Sequence, residues 1–350
     1  MFLRENVLLA WLTTMQVGGP SRYFAEARTA AEVVEAVQFA RAKSLPLFVL
    51  GGGSNLVVSD QGWPGLTLKV SISGIQERSE SAKTFFRVGA GEEWDHFVAH
   101  AVAQNCAGVE CLSGIPGSVG GTPVQNVGAY GQEVSETIES VLTFDVKLSQ
   151  IRELSNHACG FSYRSSIFNT SERERFIILE VNYALTPRGA PHVEYADLKK
   201  YFADKNGPPT LAETRDAVLN IRASKGMLII PGDPDCRSAG SFFKNPVLTL
   251  EQYGELSARA ASRGLQIPSY PALAAQHKVS AAWLVEHSGF HKGYVAGRAG
   301  ISSKHALAIV NLGGATAADI VALKTQIQDR VRETWGVELQ PEPVFLGFGV

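Results

Sequence analysis

The chain has 350 residues, 45% hydrophobic and 19% charged, an ordinary globular composition with room for two or three domains and a core that needs no disulfide or metal. Lys and Arg number 32 against 34 Asp and Glu, which excludes the broad basic surface of a protein whose main partner is nucleic acid. No stretch reaches the ~18 apolar residues of a membrane span.

The apolar run Val7–Leu12 is too short for a signal-peptide core and has no small-residue cleavage site after it, so a cytoplasmic protein is expected. Thr29 followed by Glu32 predicts a capped helix start, with Val33, Val37 and Ala40 on one face. Pro46–Leu50 reads as a buried strand that turns sharply at Gly51-Gly52-Gly53-Ser54-Asn55. Leu66–Ser71 and Phe85–Val88 read as further strands. Glu92–Gln104 reads as a helix with Trp94, Phe97, Val98, Ala101 and Val102 on its apolar side.

Gly114–Gly131 has no apolar period and is rich in glycine; a long loop of this kind inside a compact domain is usually functional. Strand character resumes at Glu139–Asp145 and Arg175–Leu185. Prolines cluster between Thr186 and Pro209, which sets the expected domain boundary there or slightly after. Thr210 and Glu213 predict a second capping box and a helix running toward Lys225, followed by a loop over Gly226–Arg237. Helical patterns return at Ser280–His287 and Thr316–Trp335, the latter with Ile320, Leu323, Ile327, Val331 and Trp335 on one stripe. The tail Val337–Phe348 is strand-like.

Several chemistries are missing. There is no phosphate-binding GxxxxGK[ST], no HExxH and no GxSxG. The four cysteines, Cys106, Cys111, Cys159 and Cys236, form no CxxC pair, as in a reducing compartment. His287 and His291 have metal-ligand spacing, but Gly289 ends the helix between them, so no metal is expected.

Glycines let backbone N–H groups approach an anion closely. Two glycine loops, Gly51–Asn55 and Ile115–Gly131, lie about sixty residues apart, which suits a large ligand with a central pyrophosphate. FAD is such a ligand. Ser118, Thr122, Gln125, Asn126 and Tyr130 add polar groups to the second loop.

The sequences Leu50-Gly-Gly-Gly-Ser-Asn55 and Ile115-Pro-Gly-Ser-Val-Gly-Gly-Thr-Pro-Val-Gln-Asn-Val-Gly-Ala-Tyr-Gly131 closely resemble the flavin loops of the UDP-N-acetylenolpyruvoylglucosamine reductase family. Phe161-Ser-Tyr-Arg-Ser-Ser-Ile-Phe168, Gly240-Ser-Phe-Phe-Lys-Asn-Pro246, Leu339-Gln-Pro-Glu-Pro-Val344 and the entry segment Thr13–Gly19 resemble further motifs of that family, in order. Gly226–Arg237 and His291–Gly297 match it poorly.

The resemblance implies an α+β fold. An FAD-binding domain of the vanillyl-alcohol oxidase (PCMH) type, with two α/β subdomains, is expected over 17–188, and a C-terminal α+β substrate-binding domain over 215–345. It implies noncovalent FAD, held by Gly51, Gly52, Gly53, Ser54, Asn55, Ile115, Pro116, Gly117, Ser118, Gly120, Gly121, Thr122, Gln125, Asn126, Gly128, Ala129 and Tyr130. NADPH would be the hydride donor. The implied reaction reduces the enolpyruvyl double bond of UDP-N-acetylglucosamine enolpyruvate during peptidoglycan precursor synthesis. Arg164 would grip the substrate carboxylate, Glu342 would share that role if protonated in a dry pocket, and Ser241 would protonate the α-carbon. Tyr195, Arg222, Lys225 and Asn245 would meet the UDP diphosphate. The partners are then small molecules, with no nucleic acid and no membrane, and a monomer is expected. Two rivals use the same loops: an oxidase of the same flavin fold acting on an alcohol or sugar, and a non-catalytic sensor of flavin and UDP-sugar.

Overall fold

The computed structural model describes residues 1–271 and 276–349. The chain divides into two compact units. The first comprises Met1–Val7, Ser21–Gly53 and Trp63–Ser224; the second comprises Leu8–Pro20, Ser54–Gly62 and Lys225–Val350. The mixed α+β class expected from the sequence is found in both.

Besides a small two-stranded sheet, Gly128–Ala129 with Gln132–Glu133, the first unit holds two larger ones. One has the strand order Phe2–Leu8, Pro20–Ala27, Trp63–Val70, Leu47–Leu50, and its last three strands are parallel. Parallel strands need a covered face, and the helix Ala30–Ala42 packs against Trp63–Val70, burying Val33, Ala36, Val37 and Ala40. Thr29 Oγ1 caps this helix by accepting from Glu32 N–H at 3.2 Å, while Glu32 reaches back to Arg28 N–H at 2.7 Å. The other sheet is antiparallel, ordered Gln150–Ser155, Ile138–Asp145, Phe176–Pro187, Thr84–Gly89, Ile75–Ser79, with Cys106–Ala107 pairing to the end of the long central strand. Along that strand Ile177, Leu179, Val181, Tyr183 and Leu185 are buried, the alternation of a sheet with one face on the core. The expected helix forms over Trp94–Ala103, and its Phe97 ring stacks on Tyr183 at 4.8 Å.

The second unit is built around the helix Ala317–Trp335, whose Ile320, Leu323, Ile327, Val331 and Trp335 are all buried. Thr316 and Asp319 form its capping box, and Asp60 accepts from Ala317 N–H and Ala318 N–H at 2.8 and 2.9 Å, so a carboxylate sits at the positive end of the helix dipole. Two short three-stranded sheets complete the unit. The tail differs from expectation. Only Val344–Leu346 is a strand, parallel to Leu56–Val58. Pro341 and Pro343 have no N–H to donate, so the preceding stretch pairs by isolated contacts. Among the described residues no helix is long and apolar enough to cross a membrane.

At the edge of the antiparallel sheet Asp145 is fully buried. Its Oδ2 accepts from Arg175 Nη2 and Nε at 2.8 and 3.1 Å, and its Oδ1 from Leu148 N–H at 3.0 Å. The Arg175 guanidinium holds this carboxyl at about 2, below its ordinary 3.8. A depressed folded-state pKa stabilises the fold above the unfolded value, and the contribution is lost as pH falls through the folded one. Asp145→Asn is expected to cost about 2–4 kcal/mol in urea unfolding at neutral pH. The gap to the parent protein should narrow as the pH is lowered from 3.8 toward about 2.

Candidate active site

In the first unit the two glycine loops touch. The strand Leu47–Leu50 delivers the chain into Gly51–Gly53, where a Cβ on Gly52 would lie 2.5 Å from Gly117 Cα and one on Gly51 would lie 2.8 Å from Ser118 Oγ. Only glycine permits that approach. The second loop is fixed by its backbone: Trp94 N–H donates to Gly117 O at 3.1 Å, Val119 N–H to Glu92 O at 2.9 Å, and Gly120 N–H to Ala90 O at 2.8 Å. Ile115 and Ala129 pack on the core of the unit. Thr122 Oγ1 donates to Val119 O and contacts Tyr183 OH at 2.9 Å. Asn126 Nδ2 donates to Glu133 Oε2 at 2.7 Å and Ser162 O at 3.1 Å. The side chains of Thr122 and Asn126 thus hold the loop's shape. Ser118 Oγ, by contrast, is buried and finds no hydrogen-bond partner among the described residues.

Arg164 sits at the tip of a turn closed by Ser162 and Ser165, each donating its N–H to the other's carbonyl at 3.0 Å. Its Nη2 donates to Gly128 O at 2.7 Å, and its guanidinium lies 5.5 Å from the Tyr163 ring centroid. Ser166 Oγ donates to Val124 O at 2.6 Å. The Phe161–Phe168 segment is therefore sewn to the second glycine loop. Asn126, Tyr130 and Arg164 adopt φ of 44°, 49° and 54°, a left-handed region costly for side-chain-bearing residues that clusters at functional sites.

Tyr130 carries the loop toward two further candidates. Its ring meets Tyr195 edge-on at 5.4 Å, and Tyr195 is exposed. Arg222, in the helix Leu211–Ser224, is buried at 5% exposure, with Nε donating to Gly114 O at 3.2 Å and its guanidinium bonded to the Tyr130 side chain. Burial pushes its pKa down, against the opposing pull of Tyr130 and Asp95. Burial alone would raise the Asp95 carboxyl, but Arg215, bidentate at 2.6 and 2.7 Å, and Gly114 N–H hold it below the usual range. The helix opens on the expected box, Thr210 N–H donating to Glu213 at 2.8 Å and Glu213 N–H to Thr210 Oγ1 at 3.2 Å.

The second unit brings Ser241, Glu342 and Asn55 together through their backbones. Glu342 N–H donates to Phe242 O at 2.9 Å, Lys244 N–H to Gln340 O at 2.9 Å, and Val344 N–H to Asn55 O at 3.0 Å. Asn55 Nδ2 donates to Glu342 O at 3.3 Å, and Thr14 Oγ1 donates to Ser54 O at 3.4 Å. Gly240, at φ 73°, turns the chain so that Ser241 precedes the buried pair Phe242 and Phe243. Ser241 Oγ lies 2.9 Å from His305 Nε2. His305 carries no motif signal in the sequence, and contact alone reveals it. Asn245 Oδ1 accepts from Ala281 N–H at 2.9 Å, at the start of the helix Ala281–Glu286, and partly buried Lys225 directly follows the helix Leu211–Ser224. Arg164 belongs to the first unit, Ser241 and Glu342 to the second. Among the described residues no group of side chains could hold a metal ion, and the nitrogens Nδ1 of His287 and His291 face backbone carbonyls.

Comparison with known proteins agrees with this layout. An FAD binding domain model matches residues 21–149, and a model of the C-terminal domain of UDP-N-acetylenolpyruvoylglucosamine reductase matches residues 233–346. The reductase of that name from Thermobifida fusca is 44% identical, with 98% of each chain covered. The one from Streptomyces coelicolor is 44% identical, covering 97% of this chain and 89% of its own. The crystal structure of the enzyme from Thermus caldophilus superposes with a TM-score of 0.66 at 27% identity, over 99% of this chain and 100% of that one. A likeness of that strength over nearly the whole length places the chain: it belongs to the UDP-N-acetylenolpyruvoylglucosamine reductase family.

Proposed function

We propose that the protein reduces the enolpyruvyl double bond of UDP-N-acetylglucosamine enolpyruvate to give UDP-N-acetylmuramate, a step in peptidoglycan precursor synthesis. The observation that carries this reading is the meeting of the two glycine loops at Gly52 and Gly117, with the orphaned Ser118 hydroxyl buried between them. A cradle that admits no Cβ and leaves a buried hydroxyl without a partner among the described residues suits the pyrophosphate of FAD. Gly51–Asn55 and Ile115–Tyr130 would hold the cofactor noncovalently. Thr122 and Asn126 would offer backbone groups, since their side chains are engaged within the protein.

Bound FAD, recharged by NADPH, supplies a hydride to the terminal vinyl carbon of the substrate. Negative charge then gathers on the α-carbon and its carboxylate, and the residues must stabilise it. Arg164 stays protonated and can grip a carboxylate in two places; its left-handed backbone and the bond from its Nη2 to Gly128 O pre-set the guanidinium. Glu342 shares the carboxylate when protonated. Ser241 gives its hydroxyl proton to the α-carbon, for an enolate dianion is basic enough to take it. Tyr195, Lys225 and Asn245 meet the UDP diphosphate, with Arg222 bracing the loop from behind Tyr130. The partners are NADPH and the UDP-sugar, the protein works as a cytoplasmic monomer, and the near-neutral charge balance offers no footprint for nucleic acid.

The two half-reactions separate these roles. Ser241→Ala should leave flavin reduction by NADPH intact and slow flavin reoxidation by substrate about a thousandfold in stopped-flow absorbance. Equal slowing of both would refute the proton-donor role. Arg164→Lys keeps the charge but loses the two-point grip, and should lower the reoxidation rate about a hundredfold. Gly52→Ala drives a methyl group into Gly117, so the purified variant should bind FAD about 10- to 100-fold more weakly by titration of flavin absorbance. Undiminished FAD affinity in that variant would remove the cradle from the site.

A further inference from the structure

The contact between Ser241 and His305 lies wholly within the second unit and is fixed from both sides. Phe242 N–H donates to Leu307 O at 2.8 Å, laying the serine segment along the turn that carries the histidine. Within the turn, Ser302 Oγ accepts from Lys304 N–H at 3.1 Å and His305 N–H at 3.2 Å, while Ser302 N–H donates to Ala308 O at 2.9 Å. Beyond it, Lys304 Nζ pairs with Asp233 at 2.5 Å, and Ser303 donates from N–H and Oγ to Asp235 at 3.1 and 2.7 Å. Serine and imidazole are thus presented to each other by backbone and ion-pair restraints, at 2.9 Å between Oγ and Nε2.

Two arrangements fit that distance. If Nε2 accepts, the serine proton points at the ring and cannot be handed to carbon. If Nε2–H donates, the serine O–H bond is free to turn elsewhere, and its oxygen already receives a hydrogen bond that strengthens as it becomes anionic. We infer that His305 is the positioning residue of the protonation step, donating Nε2–H to Ser241 Oγ. This rests on the proton-donor reading of Ser241. As the serine O–H bond breaks and the α-carbon C–H bond forms, the new alkoxide stays hydrogen-bonded to Nε2–H until water returns a proton to it. The histidine itself exchanges no proton with substrate.

The test uses the FAD-loaded enzyme and both half-reactions. His305→Ala and His305→Asn, whose shorter amide cannot reach Oγ, should slow flavin reoxidation by the enolpyruvyl substrate about 10- to 100-fold, as expected for a lost hydrogen bond to a charged group. NADPH-driven flavin reduction and substrate dissociation constants should stay within about twofold on that same account. His305→Gln places an amide N–H near the Nε2 position and should recover most of the rate. An independent readout is the ¹⁵N-histidine NMR spectrum of the resting enzyme, in which the resonance lost in His305→Gln should report a protonated Nε2. Overturning results are reoxidation at the parent rate in His305→Ala, equal slowing of both half-reactions, no recovery with Gln, or an unprotonated Nε2. Ser241→Ala, run alongside, tells the two readings apart. If it is slow while the His305 variants are not, only the role of His305 fails. If it is not slow, the serine reading fails and takes this one with it.

Discussion

The contact between Gly52 and Gly117 is the constraint from which the rest of the first unit follows. Two stretches of chain far apart in sequence meet at a distance that excludes any side chain. To hold them there, the backbone on both sides must be rigid. The second loop is therefore bonded to the start of the helix Trp94–Ala103, whose Trp94 and Phe97 pack on Tyr183 in the middle of the antiparallel sheet. The core supports the loop, and the loop can then keep residues in conformations they would not adopt alone. Asn126, Tyr130 and Arg164 are held left-handed by such support.

Charge is distributed with the same economy of contacts. Asp95 pairs directly with partly buried Arg215 and also acts on the buried Arg222 that bonds Tyr130, so both cations are matched within the unit. Arg164 Nη2 donates to the Gly128 carbonyl, which ties the guanidinium to the second glycine loop. In the second unit, Ser241 and Glu342 lie on segments that hydrogen-bond to each other, and the serine faces an imidazole. The proposed reaction, which builds up negative charge, would call on a guanidinium, a hydroxyl and an acid.

Much of the fold was legible from local pattern. Helices with a clear apolar stripe and a capping pair, such as Thr316–Trp335 and the one opened by Thr210 and Glu213, appear within a residue or two of their expected limits. The helix Leu250–Ala261 was not expected, although Thr249 and Gln252 form a capping box at its start and its apolar residues share one face; only Leu256 and Ala260 of that face are buried. The strand-like tail was over-read, since β-favouring residues there are interrupted by prolines that cannot donate to a ladder. The prolines between Thr186 and Pro209 suggest one boundary. The chain instead contributes Leu8–Pro20 and Ser54–Gly62 to the second unit before returning, and no local composition records such an exchange.

By itself the sequence determined the chemistry on offer: two glycine-rich loops, an arginine between Tyr163 and Ser165, a serine after Gly240, and a glutamate between two prolines. These are properties of residue type and near neighbours, so a linear string carries them. Tertiary structure alone decided which of them meet. It buried Arg222 against Tyr130, turned the side chains of Thr122 and Asn126 inward, left the Ser118 hydroxyl without a partner among the described residues, and brought His305 to Ser241 across 64 residues of chain. Such pairings depend on long-range register and packing, and a histidine flanked by Lys304 and Ala306 gives no local sign of the hydroxyl it will face.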